Sequence, residues 1–329
     1  MPQIPADKRR RRAIRARLLG ALTSAARWSP PGTVEGALAL CSPFMRWSRF
    51  ERTTRENLAL ALGAELDERE RVRIARGVRR HAARQFASWL RLAGCDAARG
   101  GWIDELVPVD ESIRHLDEAL ARGRGAIVAT AHLGDWELLA ARVVRLGHRG
   151  AVVGLRRPND PSARWFEDLR SRHGVRTIAQ SASPRELLTV LASGGVLGIL
   201  CDLDARRLDA EVLPFFGTST RTLTAPAALA RAAAAPIVPA RCVRTAAGTY
   251  ALRFEAGFDL DRHLPRDEAR RRVLSRLNST YERWIREAPD QWAWHQKRWP
   301  ESRGPAAREG RGDDATEPAG KGPALDPRS

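Results

Sequence analysis

A histidine and a glutamate five residues apart form the motif with the clearest catalytic potential in this sequence. His132 and Glu137 lie in the segment His-Leu-Gly-Asp-Trp-Glu. A neutral histidine can take the proton of a hydroxyl group while the oxygen attacks an acyl carbon. A carboxylate behind the ring can select one tautomer and stabilise the imidazolium that forms. Asp135 is the alternative partner, because residues three apart face each other on a helix better than residues five apart.

The elements around this motif predict that the histidine lies where a strand ends and a helix begins. Residues 125–131 form a short apolar run typical of an interior strand, and residues 136–144 have the apolar spacing of a helix. Open α/β sheets carry their ligands at the carboxyl ends of the strands, so this position favours a functional histidine over a capping or core histidine. The sequence contains no Gly-x-Ser-x-Gly elbow and no cysteine near His132, which favours direct transfer to a substrate hydroxyl over a covalent acyl-enzyme.

Strands and helices alternate from residue 125 onward, and residues 51–121 read as helices. This order predicts an α/β fold with a mostly parallel or mixed sheet flanked by helices. Further strands are expected at 151–155, 175–178, 196–200, 237–243 and 250–255. We expect a basic amphipathic arm at 1–50, one catalytic domain at 51–300 and a disordered tail at 301–329, where large apolar side chains almost vanish.

Five further segments follow the histidine motif in a definite order. They are the basic and proline-containing stretch 156–161, the apolar run 195–204 that ends in Cys-Asp-Leu-Asp, Pro-Phe-Phe-Gly at 214–217, Ala-Pro-Ile-Val-Pro at 235–239 and Asp-Gln-Trp-Ala-Trp at 290–294. Together with the histidine motif, these segments resemble the late acyltransferase family of bacterial lipid A biosynthesis over residues 50–300. The resemblance implies a glycerolipid acyltransferase-like fold with a helical membrane-associating region at the N-terminus.

The resemblance also implies a reaction and a set of roles. A fatty acyl chain would pass from acyl carrier protein or acyl-CoA to a hydroxyl of a membrane lipid, with a lipid A precursor favoured over a phosphatidylinositol mannoside or another lysolipid. His132 would be the general base, Glu137 its orienting partner, and Arg157 and Asp202 would hold the acceptor or the developing charge. We expect no cofactor, because the sequence has no Walker loop and no Gly-x-Gly-x-x-Gly. We expect no metal, because the four cysteines are far apart and form no Cys-x-x-Cys pair.

Two further features of the predicted domain have a structural as well as a functional interpretation. Asp202 ends an apolar strand, where an acid is costly to bury unless it is paired. Trp292, Trp294 and Trp299 form an aromatic cluster that we expect to pack in the core rather than contact substrate.

The strongly basic character of the chain predicts an acidic partner. The net charge is +17, and the first 50 residues contain ten basic and two acidic residues. The basic run Lys8 to Arg12, followed by apolar residues such as Leu18 and Trp28, is typical of a helix that lies on an anionic membrane. The basic surface would also receive an acidic acyl carrier protein.

The same charge leaves other functions open. A nucleic-acid-binding arm is the alternative interpretation of the charge, and it is disfavoured because no aromatic stacking motif accompanies the charge.

No run of 18 apolar residues occurs, so we expect a peripheral protein on the cytoplasmic face of the bacterial inner membrane. A catalytically inactive membrane- or carrier-binding relative is another class of function, and the intact His132 and Glu137 argue against it.

Overall fold

The computed structural model describes residues 6–29, 32–155, 160–204 and 208–299. The predicted tail at 301–329 and the predicted site residue Arg157 lie outside the described residues. The helices are α1 (Ala6–Trp28), α2 (Thr33–Cys41), α3 (Arg49–Leu62), α4 (Glu68–Gly94), α5 (Gly101–Leu106), α6 (Arg114–Leu120), α7 (Trp136–Arg145), α8 (Pro161–Arg172), α9 (Pro184–Ala192), α10 (Ala225–Ala233) and α11 (Arg266–Glu287). Short 3-10 helices occupy Ser42–Trp47, Ala97–Arg99, Glu111–Ile113 and Pro289–Gln291. The strands are β1 (Ala126–Thr130), β2 (Gly150–Gly154), β3 (Arg176–Ala179), β4 (Val196–Leu200), β5 (Ala210–Phe215), β6 (Thr218–Leu223), β7 (Ile237–Arg244) and β8 (Tyr250–Phe254).

The main sheet has six strands in the order β3-β2-β4-β1-β7-β8. All neighbouring pairs are parallel except β7 and β8, which are antiparallel. Helices connect most of the parallel strands, as a βαβ crossover requires. The prediction of a mixed α/β sheet flanked by helices is therefore confirmed.

Helices cover both faces of the sheet, and the side chains of β1 divide between two hydrophobic cores. Ala126 and Val128 pack with α7 and with the end of α4, whereas Ile127 and Ala129 pack with α9, α10 and α11 on the other face. This alternation follows from the two-residue period of a strand. Burial on both faces explains why β1 is an uninterrupted apolar run in the sequence.

A two-stranded antiparallel hairpin, β5–β6, stands apart from the main sheet. The sequence pattern did not predict it. The strands are joined by Phe216 and Gly217, which both have positive φ angles of 49° and 70°. Such a turn matches the twist of a hairpin, and the glycine lowers its conformational cost. Phe215 and Phe216 point back into the aromatic cluster of Trp292, Trp294 and Trp299.

The N-terminal helices pack on the domain. Helix α1 contacts α4 and α8, and the Trp165 indole of α8 donates a hydrogen bond to the Thr23 hydroxyl at 3.0 Å. Helix α2 also packs against α4, the long helix whose start is fixed by a capping box between Asp67 and Glu70. Among the residues that the structure describes, no helix combines the length and the apolar character needed to cross a membrane.

Candidate active site

Strand register brings His132 and Asp202 together. Thr130 at the end of β1 is the register partner of Leu200 at the end of β4. His132 lies two residues beyond the first and Asp202 two residues beyond the second, so both emerge at the same level of the carboxyl edge of the sheet. The ring Nδ1 of His132 lies 2.8 Å from Oδ1 of Asp202.

Asp202 is fully buried and is held by three donors. Its Oδ1 is hydrogen-bonded to the histidine ring, and its Oδ2 accepts from the backbone N–H of His132 at 2.8 Å and from the indole Nε1 of Trp292 at 2.6 Å. Burial raises the pKa of the Asp202 carboxyl, but the charge of His132 and these hydrogen bonds outweigh it, so the pKa is lowered. Asp202 is therefore a carboxylate at neutral pH.

This pairing selects a tautomer of His132. An ionised carboxylate only accepts hydrogen bonds, so the proton of a neutral ring lies on Nδ1 and the lone pair on Nε2. The His132 side chain is 22% exposed, and its ring packs edge-on against Trp136 with the centroids 4.8 Å apart. The arrangement suits a general base whose conjugate acid is stabilised by a buried carboxylate.

The turn after the histidine is held from two sides. The Gly134 carbonyl accepts a hydrogen bond from Gln85 at 2.5 Å and lies 3.1 Å from Nε2 of His81, both on α4. Burial lowers the pKa of His81 to about 4, so this ring is neutral at pH 7. Gly134 has a φ of 65°, and a Cβ at this position would overlap the carbonyl of Cys242 on β7. Only glycine fits this close approach.

The structure corrects the predicted partner of His132. The carboxylate of Glu137 forms a bidentate ion pair with Arg170 on α8, with Nε–Oε2 and Nη2–Oε1 distances of 2.8 and 2.6 Å. Glu137 lies in the first turn of α7, and this turn directs it toward α8 instead of back toward the ring. Asp202 occupies the place beside Nδ1 that the motif predicts for Glu137. Being fully buried, Asp202 is also an unsuitable direct contact for the acceptor.

Asp135, the alternative partner, caps α7. Its Oδ1 accepts hydrogen bonds from the backbone N–H of Leu138 and from the Trp89 indole, each at 3.1 Å. Burial raises the pKa of Asp135 to about 6. The side chain therefore fixes where the helix begins, which sets the direction of Trp136 and Glu137.

An apolar pocket lies beneath α7, the helix that follows the histidine turn. It lies between α7 and the sheet and is lined mainly by aliphatic side chains of β1, β2, β4 and α7. Thr130, Trp136, Glu137 and Arg170 also line it, so the ion pair forms part of its wall. Trp136 therefore contacts the ring of His132 and also lines the pocket, so one side chain connects the candidate base with the apolar layer beneath α7.

Two residues of this site carried no role in the sequence interpretation. Arg170 has no distinguishing sequence signal, since it lies among several arginines on an amphipathic helix. Trp292 was expected in the core, and it is buried there, with its ring centroid 4.6 Å from that of Trp294. Its hydrogen bond to Asp202 became visible only with the tertiary structure.

We expect Glu137→Gln to destabilise the protein by about 3 kcal/mol, because it leaves the largely buried guanidinium of Arg170 without the carboxylate that pairs with it. Turnover should fall with little change in donor affinity. Urea denaturation and steady-state kinetics measure the two effects. Asp135→Asn, which retains a capping oxygen, is the milder control.

A double variant separates the ion pair from a direct role of Glu137. Glu137→Gln combined with Arg170→Gln should cost less stability than the sum of the single changes, since the two side chains interact only once. A turnover loss in Glu137→Gln that Arg170→Gln fails to reproduce would instead assign Glu137 a direct role toward His132.

Comparison with known proteins identifies the family of this chain. A model of the bacterial lipid A biosynthesis acyltransferase family matches residues 30–301. A phosphatidylinositol mannoside acyltransferase of Mycobacterium tuberculosis is 31% identical over 132 residues, which are 39% of this chain and 42% of the relative. The protein of the same name from Mycolicibacterium smegmatis is 28% identical over 164 residues, 49% of this chain and 52% of the relative. The chain thus spans about half the length of the curated relatives it matches. Since the family match covers most of the sequence, the chain belongs to the bacterial lipid A biosynthesis acyltransferase family.

Proposed function

We propose that this protein transfers a fatty acyl chain from a thioester donor to a hydroxyl group of a membrane glycolipid. The observation that carries the proposal is the His132–Asp202 pair at the carboxyl edge of the sheet, beside an apolar pocket. Acyl transfer to an alcohol needs a base for the hydroxyl proton and an apolar site for the alkyl chain, and these two features would supply them. The family match and the names of the relatives support the same reaction class.

The chemistry follows from the tautomer. Nε2 of His132 takes the proton of the acceptor hydroxyl as its oxygen attacks the thioester carbonyl, and Asp202 stabilises the imidazolium that forms. The tetrahedral intermediate collapses when the carbon–sulfur bond breaks, and the imidazolium returns its proton to the departing thiolate. The products are the acyl ester and a free thiol. No covalent enzyme intermediate and no cofactor enter this scheme.

The apolar pocket beneath α7 is the proposed site of the acyl chain. Its aliphatic lining suits an alkyl chain that must leave water, and each buried methylene contributes about 0.8 kcal/mol. With the chain in the pocket, the thioester would lie near Trp136 and His132. The donor is acyl-CoA or acyl carrier protein, and the net charge of +17 favours docking of an acidic carrier.

The family description and the names of the relatives point to two different acceptor lipids. The family description favours a lipid A precursor, whereas the names of the relatives favour a phosphatidylinositol mannoside. Both acceptors are anionic glycolipids with free hydroxyl groups. The predicted acceptor-binding role of Arg157 stays a prediction, because the residue lies outside the described part of the chain.

The direct test is a transfer assay with the purified full-length chain. It is incubated with palmitoyl-CoA or palmitoyl acyl carrier protein and with vesicles that contain either a phosphatidylinositol mannoside or a lipid A precursor. We expect the mass of one acceptor to rise by one acyl group for each thiol released. Release of the thiol with free fatty acid would identify a thioesterase, and an intact thioester with every acceptor would refute the proposal.

We also propose that the protein binds the cytoplasmic face of the inner membrane through its N-terminal residues. Helix α1 exposes Ile14 and Leu18 among arginines. Three apolar side chains at the end of α2 and in the 3-10 helix after it are also highly exposed: Leu40 at 79%, Phe44 at 74% and Trp47 at 72%. Arg46 and Arg49 are exposed beside them. Apolar residues flanked by arginine suit an anionic lipid surface better than a nucleic acid.

Substitution is the sharper test here than deletion, because α1 packs on α4 and α8 and its removal would uncover them. A triple Leu40→Ser, Phe44→Ser and Trp47→Ser variant should lose affinity for anionic vesicles at both low and high salt. Replacing Arg10, Arg11, Arg15 and Arg17 by glutamine should remove only the salt-sensitive part, about 1 kcal/mol per residue. Vesicle co-sedimentation measures both effects.

Val212→Ser is the matched control, since it removes a 59% exposed apolar side chain from β5. This variant should bind vesicles as the wild type does. Wild-type binding by the triple variant would place the membrane contact elsewhere, and a preference for DNA over anionic vesicles across salt would favour the nucleic-acid alternative.

A further inference from the structure

The indole of Trp292 and the backbone of His132 share one oxygen of Asp202. Both donate to Oδ2, at 2.6 and 2.8 Å, while Oδ1 pairs with the histidine ring. We propose that Trp292 is a positioning residue that holds the Asp202 carboxylate in the rotation that serves His132. This inference rests on the proposed acyl transfer.

Packing alone does not require this hydrogen bond. Trp292 is buried in an aromatic cluster, edge-on to Trp294 and 5.9 Å from the ring centroid of Phe215. A phenylalanine could supply similar apolar contacts there. A buried indole N–H, however, needs an acceptor, and here the acceptor is a buried carboxylate. Hydrogen bonds to an ionised group are about twice as strong as those between neutral groups.

The backbone keeps the indole and the histidine in one rigid frame. The N–H of Ala293 donates to the His132 carbonyl, and the N–H of Gly134 donates to the Gln291 carbonyl, each at 3.0 Å. Leu133 and Trp292 form an antiparallel bridge between these hydrogen bonds. The segment around Trp292 therefore cannot move without the turn that carries His132.

Loss of the indole N–H would weaken the restraint on the carboxylate. Oδ2 of Asp202 accepts from two donors, the Trp292 indole and the backbone N–H of His132, and it would keep only the second. The carboxylate would then be less restrained in rotation about its Cβ–Cγ bond, which would weaken the pairing of Oδ1 with Nδ1 of His132.

The experiment compares two tryptophans of the same cluster. Trp292→Phe removes the N–H that faces Asp202, and Trp294→Phe removes an N–H that donates to the Pro289 carbonyl at the same distance of 2.6 Å. The first readout is kcat and KM for palmitoyl-CoA. The second is the tautomer of His132 by ¹⁵N NMR of histidine-labelled protein, with the resonance assigned by its loss in His132→Ala.

We expect Trp292→Phe to lower kcat about 10- to 100-fold with unchanged KM. This is the rate loss that corresponds to removing one hydrogen bond to a charged group. The Nδ1-protonated population of His132 should fall in the same variant. Trp294→Phe should keep the wild-type tautomer and turnover. If Trp292→Phe does not fold, β-(3-benzothienyl)alanine at position 292 keeps the shape and replaces the N–H by sulfur, so it makes the same comparison.

Two outcomes would overturn the inference. Wild-type kcat and tautomer in Trp292→Phe would show that the indole hydrogen bond does not position the pair. Equal losses of kcat in both variants, with the tautomer unchanged, would show that the cluster acts through packing. A wild type without acyl transfer would refute the proposed function alone, because the NMR comparison still measures whether Trp292 orients His132.

Discussion

Replacing His132 with alanine should abolish acyl transfer while the protein remains folded. In the proposed mechanism, His132 is the group that takes the proton of the acceptor hydroxyl, and removing a general base costs at least about 100-fold in rate. The fold should survive because Asp202 keeps two donors, the backbone N–H at position 132 and the Trp292 indole. Thiol release under saturating donor and acceptor is the measurement, with circular dichroism as the check on folding.

A second substitution and a control make the result specific. His132→Asn offers an amide donor near the position of Nδ1 but has no counterpart of Nε2, so it should stay more stable than the alanine variant and be equally inactive. His263→Ala removes an exposed histidine outside the site and should leave turnover unchanged. Near wild-type turnover in purified His132→Ala would show that another group is the base.

Replacing Asp202 with asparagine should have the second large effect, a fall in kcat of up to about 10⁴-fold. The corresponding change in a Ser-His-Asp triad has this size, because an amide stabilises the wrong tautomer of the histidine. In Asp202→Asn, the side-chain NH₂ would donate to Nδ1, which places the proton on Nε2 and removes the base. KM for the donor should change little, since the carboxylate is fully buried and away from substrate.

The comparison with Glu137 distinguishes the two possible partners of the histidine. The structure gives Asp202 the contact with Nδ1 and gives Glu137 the ion pair with Arg170. Asp202→Asn should therefore lower kcat far more than Glu137→Gln, whose main cost is stability. The reverse order would restore Glu137 as the orienting acid and would require its side chain to leave Arg170 during turnover.

Much of the fold was determined by local patterns that one sequence carries. The apolar runs of β1 and β4 predict buried strands because both of their faces are covered by helices. The change to helical spacing after residue 135 marks the start of α7, and Asp135 caps it. These signals place His132 at a strand end, and the resemblance of the surrounding segments to a known family suggested acyl transfer there. The β5–β6 hairpin escaped prediction because its strands carry many polar and partly exposed residues and therefore resemble a loop.

The partner of the histidine was decided by tertiary structure alone. His132 and Asp202 are 70 residues apart, and only the parallel register of β1 and β4 aligns them. Glu137 is close in sequence, but five residues span a turn and the first turn of a helix, so its side chain reaches α8. The Trp292 hydrogen bond depends on a bridge between segments that are far apart in sequence, at Leu133 and Trp292. Local sequence determines which helices and strands form. Which side chains from distant strands contact each other depends on how the whole sheet assembles.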